Sequence, residues 1–532
     1  MVTLSAGVVD AASLRLTFVL FLSVVVITLF TALLTAPQRD EIGEFYLGNR
    51  SMSPLRNGLA MCGDYVSAAT LLGSTGLVAL TGYDGLMYLV GTTVAWMAVL
   101  LLIAEPLHRA GRFTLGDTVA LRMPRQQRPV RLALALCTVV IAVLYLVAQL
   151  VGSVALLTQF TGEPGATTRT LCVVVIGTIV IMYASLGGMP GATVIQVIKA
   201  VMLVVGVTVT AALVLHRYGW NPNALLTAAA DHSGESTRFL QPGLRYGGSA
   251  ASKLDFFSLQ LAIVLGLAAL PHVLMRLLAP RSVGVLRSSV VWAVGLVGLI
   301  CLGAGVLGLG ATAVVGRDTI AGTDRTGNAS VLLLAHSLGG GLLTALLSCL
   351  AFVTLLAVAA GLTLAAASSL AHDVYGELRR GRVSQAEELT VARLAAVVIG
   401  VLGMLLALVS WGANTATLAF LAFAIAASAI LPTLVYTLFW RRFSARGALL
   451  SLGGGLLCSV LLVVFSPVVS SRPDSFYPHA DFAWFPLQNP GLVSIPVGFL
   501  LGWLGTVLNP PEQQDRAAYQ DFEVRMLVGA EE

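Results

Sequence analysis

The chain has 532 residues, of which 57% are hydrophobic and only 11% charged, a balance that no soluble domain needs in order to fill its core. The net charge of +5 arises with Arg residues gathered in short connections, which is a pattern of membrane topology and not of a nucleic-acid surface. Runs of about 20 apolar residues recur along the whole chain; in hydrocarbon only helices or closed barrels satisfy their backbone groups, and continuous apolar runs mean helices.

The composition therefore predicts an all-α polytopic membrane protein that lives in a lipid bilayer and has no nucleic-acid partner. The first apolar run, 16–35, is long for a signal core and has only Arg15 before it, so it is expected as a retained span. Twelve more spans are expected at 55–80, 85–103, 130–157, 171–186, 192–215, 256–278, 289–315, 342–370, 389–409, 415–439, 448–468 and 491–507. Basic residues follow the third span (Arg109, Arg112, Arg122, Arg125, Arg128, Arg131), the ninth (Arg379, Arg380, Arg382) and the eleventh (Arg441, Arg442, Arg446). All of these fall on one side, which the positive-inside rule makes cytoplasmic, with the N-terminus outside in the cell membrane and a cytoplasmic C-terminus. The connection 217–253 is polar and reads as an external loop; no soluble domain is expected. The six Cys sit singly in apolar segments without zinc or disulfide spacing and are expected as small core residues.

The second span carries Asp64 among Gly58, Gly63, Ser67, Thr70 and Gly73 and is expected to be broken there. A mid-membrane carboxylate costs about 2.5–3.5 kcal/mol on insertion scales, so Asp64 needs a cation, a proton or a polar cavity. Read as structure alone, Asp64 would lie near the interface and cap the half-helix that begins at Val66 and Ser67. Five spans later Pro271 interrupts the seventh helix, with His272 and Arg276 following on one face. Five spans apart, the two segments run in opposite senses, as an inverted repeat of five plus five helices requires, and their crossing marks the expected site. His272 can equally be a structural histidine bonded to a carbonyl, and Arg276 is expected as a cytoplasmic anchor. The ninth span is rich in Ala, Gly, Ser and Thr, which suits close helix packing.

These segments resemble the sodium:solute symporter family, and within it the acetate/cation symporter and monocarboxylate transporter branch. The resemblance rests on 45–50 (FYLGNR), 63–69 (GDYVSAA), 82–85 (GYDG), Gly187-Gly188 before Gln196, 270–276 (LPHVLMR) and 372–375 (HDVY), and it covers nearly the whole chain. It implies a LeuT-type fold with about thirteen transmembrane helices. The implied organisation is an N-terminal helix in 1–36, core helices 1–6 in 53–280, core helices 7–10 in 281–440, two peripheral helices in 441–508 and a tail at 509–532. It also implies a sodium ion on the carbonyls of Gly63 and Val66, with ninth-span ligand positions at Thr354, Ala357 and Val358. Ala357 and Val358 replace two hydroxyl residues of that pattern, and Gln196 replaces an acid. A hard cation wants oxygen ligands, so the coupling ion is expected to be Na+ or H+, with Asp64 the proton candidate and no covalent cofactor.

The expected function is a secondary active cation-coupled symporter that imports small monocarboxylates such as acetate, propionate or pyruvate by alternating access. Half-helix amides at Ser67, Ala68 and Ala69, with Tyr65, Thr70, Gly266, Ala269 and His272, form the expected site for the organic anion. Small Ala and Gly side chains favour short acids. A sodium-driven symporter of an amino acid or urea is the nearer alternative. A proton-translocating respiratory subunit needs more mid-membrane charge than this chain has, since Lys199 is expected to snorkel from near the start of its span. An enzyme is not expected: there is no His-Glu-x-x-His, no paired acids on one helix face and no nucleophile elbow.

Overall fold

The computed structural model describes residues 11–35, 42–48, 52–161, 165–379, 383–410, 415–471, 475–477 and 479–528. Asn49, Arg50, Arg380 and Arg382, named above, lie outside the described residues. Among the described residues, eleven helices are long and apolar enough to cross a membrane. One of them, Ala166–Arg217, has 52 residues, roughly twice what a bilayer core of about 30 Å accommodates at about 1.5 Å per residue. It turns at Gly188, where φ is 52° and ψ −151°, and so supplies two crossings. The second span is divided into Pro54–Tyr65, Ala69–Ser74 and Thr75–Thr81, too broken to count as one long helix. With both included, the described residues make thirteen crossings, and the fold is the expected all-α LeuT-type bundle.

Local chemistry sets the breaks. The first half of the second span starts on Ser53, whose side chain accepts from the Arg56 amide, with Pro54 at the first helical position. It ends where Val66 turns extended (φ −76°, ψ 107°). The chain resumes as a π-turn over Ala69–Ser74, a form that concentrates at functional places. In the seventh span the helix Ala250–Leu267 stops, Leu270 is extended, and Pro271 opens the helix Pro271–Leu278. Proline offers no donor to the preceding turn, and its fixed φ suits a helix start.

The ninth span, the later part of Ser330–Ser369 beyond a kink at Gly339 and Gly340, is buried almost throughout from Thr344 to Ser369. The first span lies outside it, with Phe21 and Phe352 ring centroids 5.4 Å apart, while Val19, Val26 and Phe30 point outward toward lipid. The polar connection 217–253 is more structured than a plain loop. It holds the helix Pro222–Asp231, and Asp84 accepts from the amides of Gly243 at 2.8 Å and Arg245 at 2.7 Å.

Arginines expected only to set topology also build structure. Arg122 is 1% exposed and donates to the carbonyls of Tyr436, Thr437 and Trp440 at the end of the eleventh span. Its guanidinium also lies 4.3 Å from the ring centroid of Tyr519 in the C-terminal helix Gln513–Val528.

At Gly188 the backbone conformation is one that essentially only glycine adopts, and an added Cβ would lie 2.7 Å from Phe45. Gly188→Ala should cost about 1–3 kcal/mol in backbone strain alone, read as a lowered unfolding midpoint in detergent. Gly219→Ala, also at positive φ but with nothing within 4 Å, should cost less.

Candidate functional site

The two broken helices meet through charge. Asp64, at the end of the first half of the second span, accepts from Arg276 Nε through Oδ2 and from Gln196 Nε2 through Oδ1 at 2.6 Å. Gln196 Nε2 also donates to the Ala357 carbonyl of the ninth span at 2.7 Å, and Arg276 Nη1 donates to Thr193 Oγ1 at 2.5 Å. Asp64 and Arg276 are each 1% exposed. Gly361 makes room for the pair, because a Cβ there would stand 2.7 Å from Asp64 Oδ1. Arg276 is therefore the buried partner of Asp64 and not the interfacial anchor expected from its sequence position. A buried charge persists when it is paired and hydrogen-bonded, and this one is.

Lys199 differs from expectation in the same way. It does not snorkel: it is fully buried, and its Nζ donates to the Gly63 carbonyl. Thr193, Gln196 and Lys199 stand three residues apart and so share one face of the sixth span, a spacing that could have revealed them as a set. With only two lysines in the chain, a lysine on that polar face was the available signal.

His272 follows Pro271 and is 4% exposed. Its ring lies against the Asp64 backbone without a good hydrogen bond at either nitrogen. The Tyr145 ring centroid is 6.1 Å away, and the Tyr145 hydroxyl pairs with Ser67. Ser67 and Ala68 are buried, while Ala69 and Thr70 are partly exposed. The Ser67, Ala68 and Ala69 amides precede the first internal bond of the second half-helix, Thr70 N to Ser67 O at 3.0 Å, where helix amides lack internal partners. Tyr65 turns away from them and donates to the Thr92 carbonyl at 2.5 Å. Gly266 and Ala269 are buried, and an added Cβ at Gly266 would collide with the Phe423 carbonyl, so Gly266 serves close packing. Thr354 Oγ1 bonds to Leu350 O of its own helix at 2.7 Å. Val66 N bonds back to Cys62 O at 2.9 Å.

A second polar cluster sits on the Arg-rich side. His372 Nδ1 meets Glu388 Oε1 at 2.8 Å, and Nε2 meets both Asp117 oxygens at 3.1 Å. Tyr46 donates to Glu388 at 3.0 Å. Arg131 bridges Asp117 at 2.9 Å and Glu377 at 3.2 Å, and Thr114 and Ser369 each donate to Asp373 at 2.8 Å. Asp117, His372 and Asp373 bring three ligand atoms within 4.8 Å of one another. Arg131 already supplies positive charge there, so the group is an ion-pair network that ties five parts of the chain together. Burial alone would raise the Asp117 carboxyl, yet His372 and Arg131 hold it down to about 2.

The sodium:solute symporter family model matches residues 45–455. The chain belongs to that family. A monocarboxylic acid transporter of Corynebacterium glutamicum is 41% identical over 520 residues, covering 96% of this chain and 94% of that protein. An uncharacterized symporter of Bacillus subtilis is 39% identical over 513 residues, covering 96% and 98%. The solved structure of a Na+-coupled sialic acid symporter in a substrate-bound outward-open state aligns with a TM-score of 0.73 at 14% identity, covering 94% of this chain and 98% of that one. This member of the symporter family is thus a multi-span membrane transporter, not an enzyme, and the family implies a small solute and a coupling cation.

Two outcomes follow from these networks. Asp64→Asn leaves Arg276 buried without its counter-charge and should cost about 3–5 kcal/mol, while adding Arg276→Gln should recover part of that; unfolding midpoints of the single and double variants measure it. Because the Asp117 value is depressed, its stabilisation is present above the ordinary 3.8 and is lost as pH falls through about 2. The stability gap between the wild type and Asp117→Asn should therefore close over that window in a pH series.

Proposed function

We propose that this symporter imports small monocarboxylates such as acetate, propionate or pyruvate together with a coupling cation, Na+ or H+, by alternating access. The observation that carries the reading is the meeting of the broken second and seventh spans. The buried His272 ring lies against the Asp64 backbone, just before the Ser67, Ala68 and Ala69 amides, and Tyr145 stands between that ring and Ser67, with Arg276 one turn further along the same short helix. Free amides at a half-helix start and the positive end of its dipole suit a carboxylate. The relative named a monocarboxylic acid transporter, 41% identical over nearly the full length, supports the same substrate class. The small side chains of Ala68, Ala69 and Ala269 suit short acids. Arg clusters on one side support a cytoplasmic C-terminus and an external N-terminus.

Purified protein in liposomes should accumulate labelled acetate under an imposed sodium gradient or an inward-acid pH gradient. Empty liposomes provide the control for acetic acid that crosses the bilayer unaided. Accumulation beyond that control supports the reading, and its absence for acetate, propionate and pyruvate under both gradients overturns it. Asp64→Asn should lower protein-dependent uptake about tenfold or more, as expected when a buried charge loses its partner.

A further inference from the structure

The family pattern would place a sodium ion on the carbonyls of Gly63 and Val66, facing Thr354, Ala357 and Val358 across the ninth span. The residues present do not fit that ion. Lys199 Nζ donates to the Gly63 carbonyl, and the Ala357 carbonyl accepts from Gln196. Ala357 and Val358 bring no side-chain oxygen. A hard cation needs several oxygen ligands; here one of the carbonyls faces an amine and two ligand positions have no side-chain oxygen to give.

We infer that Lys199 stands in the place of sodium: its amine is the tethered partner of the broken second span, and no sodium ion binds between Gly63 and the ninth span. Three separate observations agree. Lys199 is fully buried, far from the interfacial role of an ordinary membrane lysine. It turns hydrogens toward the carbonyl that sodium would need, and with its proton in place it repels a second cation. The two hydroxyl positions that would complete a sodium site are missing from the same chain.

The ionisable groups around the amine are few. Asp64 and Cys62 face it from the second span, and His272 and Arg276 stand on the seventh. Cys301 of the eighth span lies beside Cys62. Asp64 is the one acid in this set, and both of its oxygens are held, one by Arg276 and one by Gln196. An incoming carboxylate therefore meets a site where the positive group that sodium would supply is built into the sixth span. That consequence for transport rests on the monocarboxylate reading; the absence of sodium from this position does not.

The test is binding of radiolabelled sodium to purified full-length protein, compared among the wild type, Thr354→Ala and the triple variant Lys199→Ala/Ala357→Ser/Val358→Ser. The expected result is that the wild type shows no saturable sodium binding sensitive to Thr354→Ala, and that the triple variant gains saturable binding. Saturable binding that Thr354→Ala leaves intact belongs elsewhere and agrees with the inference. Wild-type binding that Thr354→Ala abolishes overturns it, as does a folded triple variant that binds no more sodium than the wild type. Should the triple variant not fold, the wild type and Thr354→Ala alone decide. Loss of acetate uptake under every gradient would remove the substrate reading and leave this binding result standing.

Discussion

A carboxylate and a guanidinium meet inside this bundle where neither could stand alone. Asp64 and Arg276 come from helices 212 residues apart, and each is the reason the other can be buried. Around them the protein supplies what low-dielectric surroundings demand: Gln196 and Thr193 take up the remaining hydrogen bonds, and Gly361 removes the methyl that would collide. Packing and polarity are therefore solved together. The ninth span must be made of small residues at this level because a charge pair stands against it.

The breaks in the second and seventh helices follow from the same need. A continuous helix spends its backbone groups on itself, whereas a broken one presents carbonyls at one end and amides at the other. Gly63 turns its carbonyl to Lys199, and Ser67, Ala68 and Ala69 open the second half-helix with amides that precede its first internal bond. One irregular stretch thus offers both polarities within a few residues, which a transporter of a small solute with a cation can use. The far end of the ninth span carries the other concentrated polarity, where His372 and Asp373 join Asp117, Arg131 and Glu388.

Much of this was legible in the sequence. Apolar runs placed the crossings, because hydrocarbon leaves the backbone one economical form, and Pro271 and the Gly-rich stretch around Asp64 marked both interruptions. The family resemblance was visible in short motifs kept in order. What stayed hidden was pairing across spans. Arg276 sits near a helix end and looks like an anchor, and Lys199 sits near the start of its apolar run and looks able to snorkel. Distance along a helix does not report depth inside a bundle whose neighbouring helices extend past it. In the sequence Gln196 stands out only as a replacement for an acid; its two bonds, to Asp64 and to Ala357, need the third dimension.

The arginine that joins the end of the eleventh span to the C-terminal helix has a further consequence. Arg122 grips the carbonyls of Tyr436, Thr437 and Trp440 while its guanidinium lies over Tyr519. Arg441 adds a second hold, 6.0 Å from the Tyr519 ring centroid and 3.6 Å from Glu523, so the last helix is clamped to a core element and does not trail as a loose tail. A fluorophore placed on its exposed face would ride with the eleventh span, so the chain carries its own lever for watching that helix move while the solute site stays untouched.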